Sequence, residues 1–350
     1  TGDCLFRDVK FIKTGMSDLD EKVLGGGFPR GRVTEVFGLE SSGKTTLMLS
    51  VIAYNMKLNS KFRAGFLDVE GALDLRWAES LGVDLSRLYV PEFYYGDDAL
   101  RLIYKMVADK VDLIVLDSIA DLVPKEVWIK GVESSSGEEV AWNMRDKLAR
   151  AALLTDFAAS LFNGFKVNKE DNKSCNLRDS GACLVLINHM KEKIGIVFGS
   201  SEYTVGGKAF DFGTSIRLRL KSQGYSKEVD EFGRPLYQKV AFLCRKNKVA
   251  PPLGSCEGII KMSGEFGGLE ISLSLLDKAI KEGIITKKGG FYYSGLFKPD
   301  GRIRGKASLD EWGEIPVNCE NLERAFRKIE MKTTLFKKKV KDHEATHELD

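Results

Sequence analysis

The segment Gly38-Leu39-Glu40-Ser41-Ser42-Gly43-Lys44-Thr45 constrains the fold more than any other. It satisfies G-x-x-x-x-G-K-[ST] at every position. It follows a β-branched run, Arg32-Val33-Thr34-Glu35-Val36-Phe37, and opens Thr45–Leu58, which reads as a helix. Glycines let successive backbone N–H groups turn inward around a phosphate, and the helix N-terminus adds about half a unit of positive charge there. Lys44 is expected to reach the β- and γ-phosphates, and the Thr45 hydroxyl to hold Mg2+. The expected cradle is Gly38, Glu40, Ser41, Ser42, Gly43, Lys44, Thr45 and Thr46.

The surrounding pattern agrees with a strand–loop–helix unit of this kind. Ala64–Val69 reads as a strand, and Asp98–Ala108 as a helix with Leu100, Ile103, Tyr104 and Val107 on one face. Leu113–Leu116 has no polar alternation, so it should be a strand buried on both faces. Ala141–Leu161 reads as a long helix and Cys183–Ile187 as a further strand. Such alternation implies an α/β fold, a P-loop NTPase core with a mostly parallel central sheet. Ile216–Leu220 and Tyr237–Arg245 read as later strands, the second in a hairpin. The expected organisation is an N-terminal strand and interface segment (1–24, with a strand-like piece Leu5–Phe11) and a core over 25–258. A small α+β C-terminal domain over 259–331 follows, with helix Leu273–Lys281 and a hairpin through Phe291-Tyr292-Tyr293, and then a polar tail over 332–350.

Hydrophobic residues make up 43% of the 350, enough for a sizeable core. The net charge of +3 argues neither for nor against a polyanion partner, so any such site must come from local clustering. The six cysteines show no CxxC spacing, and Cys183 and Cys244 lie in apolar runs as buried thiols; a reducing, cytoplasmic compartment is expected. No apolar run approaches a membrane span, which takes about 20 residues. The N-terminus shows no signal-peptide core and no initiator Met, and truncation is one reading of it.

In open α/β sheets ligands sit beyond the carboxyl ends of the strands. Asp117 ends the Leu113–Leu116 run, where a carboxylate would hold Mg2+; it could also simply cap the next helix. Glu70 ends Phe66-Leu67-Asp68-Val69, where a carboxylate can orient and deprotonate an attacking water; it could also be a surface acid. His189 ends Val185-Leu186-Ile187-Asn188, where it could sense a γ-phosphate or be a structural histidine.

Taken with these residues, several blocks in order make the chain resemble the RecA-type recombinases, including the phage UvsX-like branch. They include Ile12-Lys13-Thr14-Gly15, Gly31-Arg32-Val33-Thr34-Glu35, Asp68-Val69-Glu70-Gly71-Ala72-Leu73-Asp74 and Leu116-Asp117-Ser118-Ile119-Ala120. Further on come Ile187-Asn188-His189, Lys193–Gly199 with Gly206-Gly207, and Arg245-Lys246-Asn247-Lys248-Val249-Ala250-Pro251. The resemblance covers roughly Lys10–Ile329 and implies a RecA-like core. It implies a DNA-dependent ATPase with ATP and Mg2+ as cofactors, which polymerises on single-stranded DNA and pairs it with homologous duplex DNA. Glu70 falls on the catalytic glutamate, His189 on the switch position, and Asp74 and Trp77 on the adenine contacts. Lys246 and Lys248 fall on a lysine pair that reaches ATP across a filament interface with another copy of the chain.

The resemblance also implies two DNA-binding loops, about 129–143 and 190–207. In the second, Lys191 and Lys193 would meet phosphates, Ile194, Ile196 and Val197 would wedge between bases, and the backbone around Gly195, Gly206 and Gly207 would add contacts; Arg145 is a further phosphate candidate. The chain departs from the family in several places. The N-terminal helix is missing from the pattern, Met262 or Ser263 stands where a Tyr would close over adenine, and Asp211 replaces a Lys beside Phe212. Asn163–Ser180 is a polar insertion, and the tail is basic before it turns acidic. Two competing readings are a ring motor of the helicase type on the same core, and a regulatory P-loop ATPase that does not engage DNA.

Overall fold

The computed structural model describes residues 9–133, 144–165, 175–192, 202–205, 212–262, 267–271, 286–288, 291–293 and 302–304. The chain forms two compact units, Thr1–Leu269 and Glu270–Asp350.

In the first unit, β1 (Phe11–Ile12) pairs with β2 (Phe28–Pro29) in a small antiparallel ribbon. The strands β3 (Val33–Gly38), β4 (Ala64–Asp68), β5 (Leu88–Tyr89), β6 (Leu113–Asp117) and β7 (Cys183–Glu192) follow. Then come β8 (Glu202–Thr204), β9 (Ile216–Tyr225), β10 (Tyr237–Asn247), β11 (Ser255–Lys261) and β12 (Gly268–Leu269). The central sheet runs β12-β11-β10-β9-β3-β7-β6-β4-β5, with β8 attached to β7. From β9 through β3, β7, β6 and β4 to β5 every pairing is parallel; β10, β11 and β12 extend the sheet antiparallel. β3 and β6 are buried along their whole length, as a strand covered on both faces must be.

The helices α1 (Lys44–Leu58), α2 (Leu75–Ser80), α3 (Gly96–Ala108), α4 (Lys125–Glu133), α5 (Met144–Asn163) and α6 (Leu177–Ser180) connect these strands. On one sheet face, Ile103 and Val107 of α3, Phe157 and Leu161 of α5 and Leu177 of α6 pack with Ile114, Leu116, Leu184 and Leu186. Tyr104 joins them at the margin, its ring stacked on Phe165 at 4.4 Å. α3 starts at Gly96, two residues before the expected Asp98. Asp97 and Asp98 thereby fall in its first turn, where the helix dipole favours acids.

Several expected bounds move. Ile129–Glu133 continues α4, so the segment expected to begin the first DNA loop is helical. β7 runs on to Glu192, and Met190, Lys191 and Glu192 pair with Thr204, Tyr203 and Glu202 of β8. Within the expected 190–207 loop, 190–192 and 202–204 are therefore the two arms of a β-hairpin, because backbone pairing, indifferent to polar side chains, carries the strand past its apolar part. The expected boundary at 258/259 falls inside β11, which pairs with β10 along its length and belongs to the first unit. Leu5–Asp8, Ala141–Asn143, Ser263, the 273–281 helix and the tail lie outside the described residues.

In the second unit, β13 (Thr286–Lys288), β14 (Phe291–Tyr293) and β15 (Arg302–Arg304) form an antiparallel three-stranded sheet, and the expected hairpin through Phe291–Tyr293 is part of it. Cys183 and Cys244 are buried free thiols, and burial pushes Cys183 up to about 12, which makes it an inert core residue. Among the described residues, no helix is long and apolar enough to cross a membrane.

Candidate functional site

The loop Gly38–Thr45 leaves the end of β3 and enters α1, as the spacing requires. Gly43 caps α1 at φ +88°, and a Cβ there would come within 2.4 Å of Ile260 Cδ1, so only glycine fits. Ser41 also has a positive φ, +56°, and its carbonyl accepts a hydrogen bond from Gln238 Nε2 of β10 at 2.9 Å. Ser42 is buried, and its hydroxyl has no partner among the described residues. Lys44 is buried as well; among the described residues its ammonium donates to two loop carbonyls, Leu39 at 2.9 Å and Gly38 at 3.4 Å. Burial pulls its pKa below the usual lysine value, while Asp117, Glu70 and Glu40 oppose the shift. Glu40 is exposed, and Thr46 is the third residue of α1, where its carbonyl accepts from Ser50.

The carboxyl ends of β3, β7, β6 and β4 are lateral neighbours and bring the remaining groups together. Thr45 Oγ1 donates to Asp117 Oδ2 at 2.6 Å. Asp117 is buried; that burial raises its pKa to about 6, against the Thr45 hydrogen bond, and the charge of Glu70 adds to the rise. A buried carboxylate beside a threonine hydroxyl is a fitting pair for a divalent cation, whose charge would relieve the burial. The residues present thus fit Mg2+ and a triphosphate: a buried cation, an orphaned hydroxyl and an acid short of positive charge all border the loop.

Glu70 sits past β4 on a turn drawn in by Asp68, whose carboxylate accepts from the backbone of Ala72 and Leu73. The backbone N–H of Val69 donates to the Asp117 carbonyl at 2.7 Å, tying the two acidic corners together. The Glu70 side chain remains about one-third exposed. His189 Nε2 lies 2.6 Å from Glu70 Oε1 and 3.7 Å from Asp121 Oδ2. Asp121 in turn accepts from the Ser118 hydroxyl. The sequence reading missed Asp121: its signal, Ser-x-x-Asp directly after the strand, is visible only once a tight turn is known to follow Asp117. It missed Gln238 as well, a polar residue near the start of a strand with several other polar residues, whose burial appears only in the fold.

Other expected residues sit elsewhere. Asp74 caps α2, accepting from the backbone N–H groups of Arg76 and Trp77. Trp77 is half-buried, with its indole against Gly267. Lys246 and Lys248 converge on the Phe212 carbonyl, at 3.1 and 2.5 Å, beside the exposed Phe212 ring. Arg145 is exposed near the start of α5. Lys191 is in β7; Lys193, Ile194, Gly195, Ile196, Val197, Gly206, Gly207 and Asp211 lie outside the described residues.

A phosphate loop on a parallel sheet, with Thr45 and Asp117 paired behind it and Glu70 beside it, defines a P-loop nucleoside triphosphatase. The RecA N-terminal domain family matches residues 2–153 and 170–265. Protein RecA of Aquifex pyrophilus is 36% identical over 324 residues, covering 92% of this chain and 84% of that protein. Protein RecA of Aquifex aeolicus is 38% identical over 309 residues (88% and 81%), and that of Bordetella pertussis 34% over 334 residues (94% and 85%). The chain belongs to the RecA family of DNA recombinases, which are DNA-dependent ATPases.

Proposed function

We propose that this chain binds ATP with Mg2+ at Gly38–Thr46, hydrolyses it through Glu70, and couples hydrolysis to assembly on single-stranded DNA and pairing with homologous duplex DNA. The observation that carries the proposal is the convergence of Lys44, Thr45–Asp117 and Glu70–His189 at adjacent strand ends. Lys44 leaves its loop carbonyls for phosphate oxygens and neutralises their charge. Thr45 and Asp117 would hold Mg2+, which supplies further charge neutralisation. Glu70, exposed to water, orients it and takes its proton. His189 occupies one Glu70 oxygen, so its displacement by a γ-phosphate frees the base.

Lys246 and Lys248 act across an interface with a second copy of the chain, which makes turnover depend on assembly. Arg145, Lys191, Lys193, Ile194, Gly195, Ile196, Val197, Gly206 and Gly207 would make the DNA contacts, and Asp74 and Trp77 the adenine contacts. The free thiols suit a reducing compartment such as the cytoplasm.

The test is the steady-state ATPase rate with and without single-stranded DNA over a range of protein concentrations. Stimulation that rises cooperatively with protein is expected. Turnover indifferent to DNA would replace this reading with a regulatory ATPase that does not engage it.

A further inference from the structure

Glu35 is a carboxylate in the middle of β3, and it is 3% exposed. Its strand neighbour in β9 is Arg217, whose Nε donates to Glu35 Oε2 at 2.5 Å. Asn188 of β7 donates through Nδ2 to the other oxygen, Oε1, at 2.8 Å. These three side chains join the strand that delivers the phosphate loop to its two neighbours.

The same groups reach outward to the returning arm of the β7–β8 hairpin. Asn188 Nδ2 also donates to the Val205 carbonyl at 2.7 Å, and Arg217 Nη2 donates to Thr204 Oγ1 at 2.8 Å. Val205 packs against the core below. The Arg217 guanidinium lies 5.2 Å over the ring of Phe37, the residue before Gly38.

Stability is a poor account of this cluster. Well-packed apolar side chains usually do as well as a buried ion pair, or better. The better-attested use of such groups is to fix one arrangement. Here the arrangement fixed is Thr204–Val205 against the strand that ends in the phosphate loop. We infer that Glu35, Asn188 and Arg217 are positioning residues that couple nucleotide state to DNA affinity through the returning arm of the hairpin. The inference rests on the functional reading above, which places DNA contacts between and beyond the two arms. A coupling of this kind is reciprocal: a nucleotide that tightens DNA binding is itself bound more tightly on DNA by the same factor.

Two variants separate coupling from folding. Thr204→Val removes one acceptor at the end of the clamp and leaves the buried ion pair in place. Arg217→Lys keeps the charge but lacks the fork that reaches Glu35 and Thr204 together. The experiment measures the Kd of a fluorescent oligo(dT) with ADP and with a non-hydrolysable ATP analogue, the Kd of a fluorescent nucleotide without DNA, and the Tm. In the wild type the ratio of the two DNA constants should be about 10 or more, and in both variants it should fall toward about 1, with nucleotide binding unchanged within about twofold. A Thr204→Val protein of wild-type Tm that keeps the wild-type ratio overturns the inference, even if Arg217→Lys fails to fold. A wild type that binds no single-stranded DNA overturns the functional reading, and the coupling with it.

Discussion

The two carboxylates flanking the phosphate loop stand in opposite environments. Asp117, at the end of β6, is 6% exposed and held by Thr45. Glu70, past β4, is open to solvent and held by His189. The backbone of one hangs on the carbonyl of the other, yet burial sets them apart. A buried acid is costly until a cation joins it, so Asp117 suits a metal. An exposed acid reaches water, so Glu70 suits proton transfer. Position at a strand end made both candidates; only burial tells them apart.

The largest effect should follow from Glu70→Gln. The amide keeps size and polarity but cannot take a proton. Turnover should fall by about 10²–10⁴, the usual contribution of a positioned base, while ATP binding stays within about threefold. Single-turnover hydrolysis and nucleotide titration check this. Normal turnover in the variant would remove Glu70 from the chemistry and leave Asp117 as the only acid with a role.

The comparison also shows what could be read without coordinates. β3, the phosphate loop and α1 were legible because three local signals agree there: an apolar run, glycines at fixed spacing, and a helix-forming segment. Asp117 was legible as a strand end and Glu70 as a residue just past one, whereas His189, read as a strand end, lies inside β7, which runs on to Glu192. Burial was not, because it depends on which strands are neighbours. Gln238 and Ile260 lie about 200 residues from the loop in sequence and reach it only because the antiparallel strands β10 and β11 extend the sheet. The second loop was drawn too wide for a related reason. Met190–Glu192 and Glu202–Thr204 are mostly polar, and the pairing that makes them strands is a backbone property with little compositional trace. Lys246 and Lys248 reach a carbonyl of their own chain, a contact no local pattern predicts.

A smaller effect, on stability, sharpens the buried side of the comparison. Asp117 titrates near 6 in the fold, against 3.8 when unfolded. The folded state therefore holds the proton more tightly. Below about pH 4 both states are protonated and the site costs nothing. As pH rises to about 6 the folded protein loses on the order of 3 kcal/mol, at about 1.4 kcal/mol per pH unit. Asp117→Asn removes the ionisation, so it should be more stable than wild type above pH 6, with the gap closing toward pH 4. Adding Mg2+ with nucleotide should narrow the gap at neutral pH, since the cation repays only the charged form. Urea unfolding at several pH values decides: a gap that does not change with pH would mean that Asp117 is not strained by burial.

The smallest effect tests whether binding can be weakened without touching either acid. Gln238 donates to the Ser41 carbonyl and to the Ser222 hydroxyl, and it is buried. Ser41 sits at φ +56°, a conformation that a non-glycine residue holds only with support from its surroundings. Gln238→Ala deletes that support and leaves Asp117, Glu70 and His189 in place. A neutral hydrogen bond is worth about 1 kcal/mol, so the Kd for ATP should rise about fivefold. Saturated turnover should stay near wild type, because the groups that act on water do not depend on the Ser41 carbonyl. The result would be the converse of Glu70→Gln, with affinity lost and chemistry kept. If saturated turnover falls while the Kd is unchanged, Gln238 acts on the water side of the site, and the separation of a binding loop from a chemical corner fails.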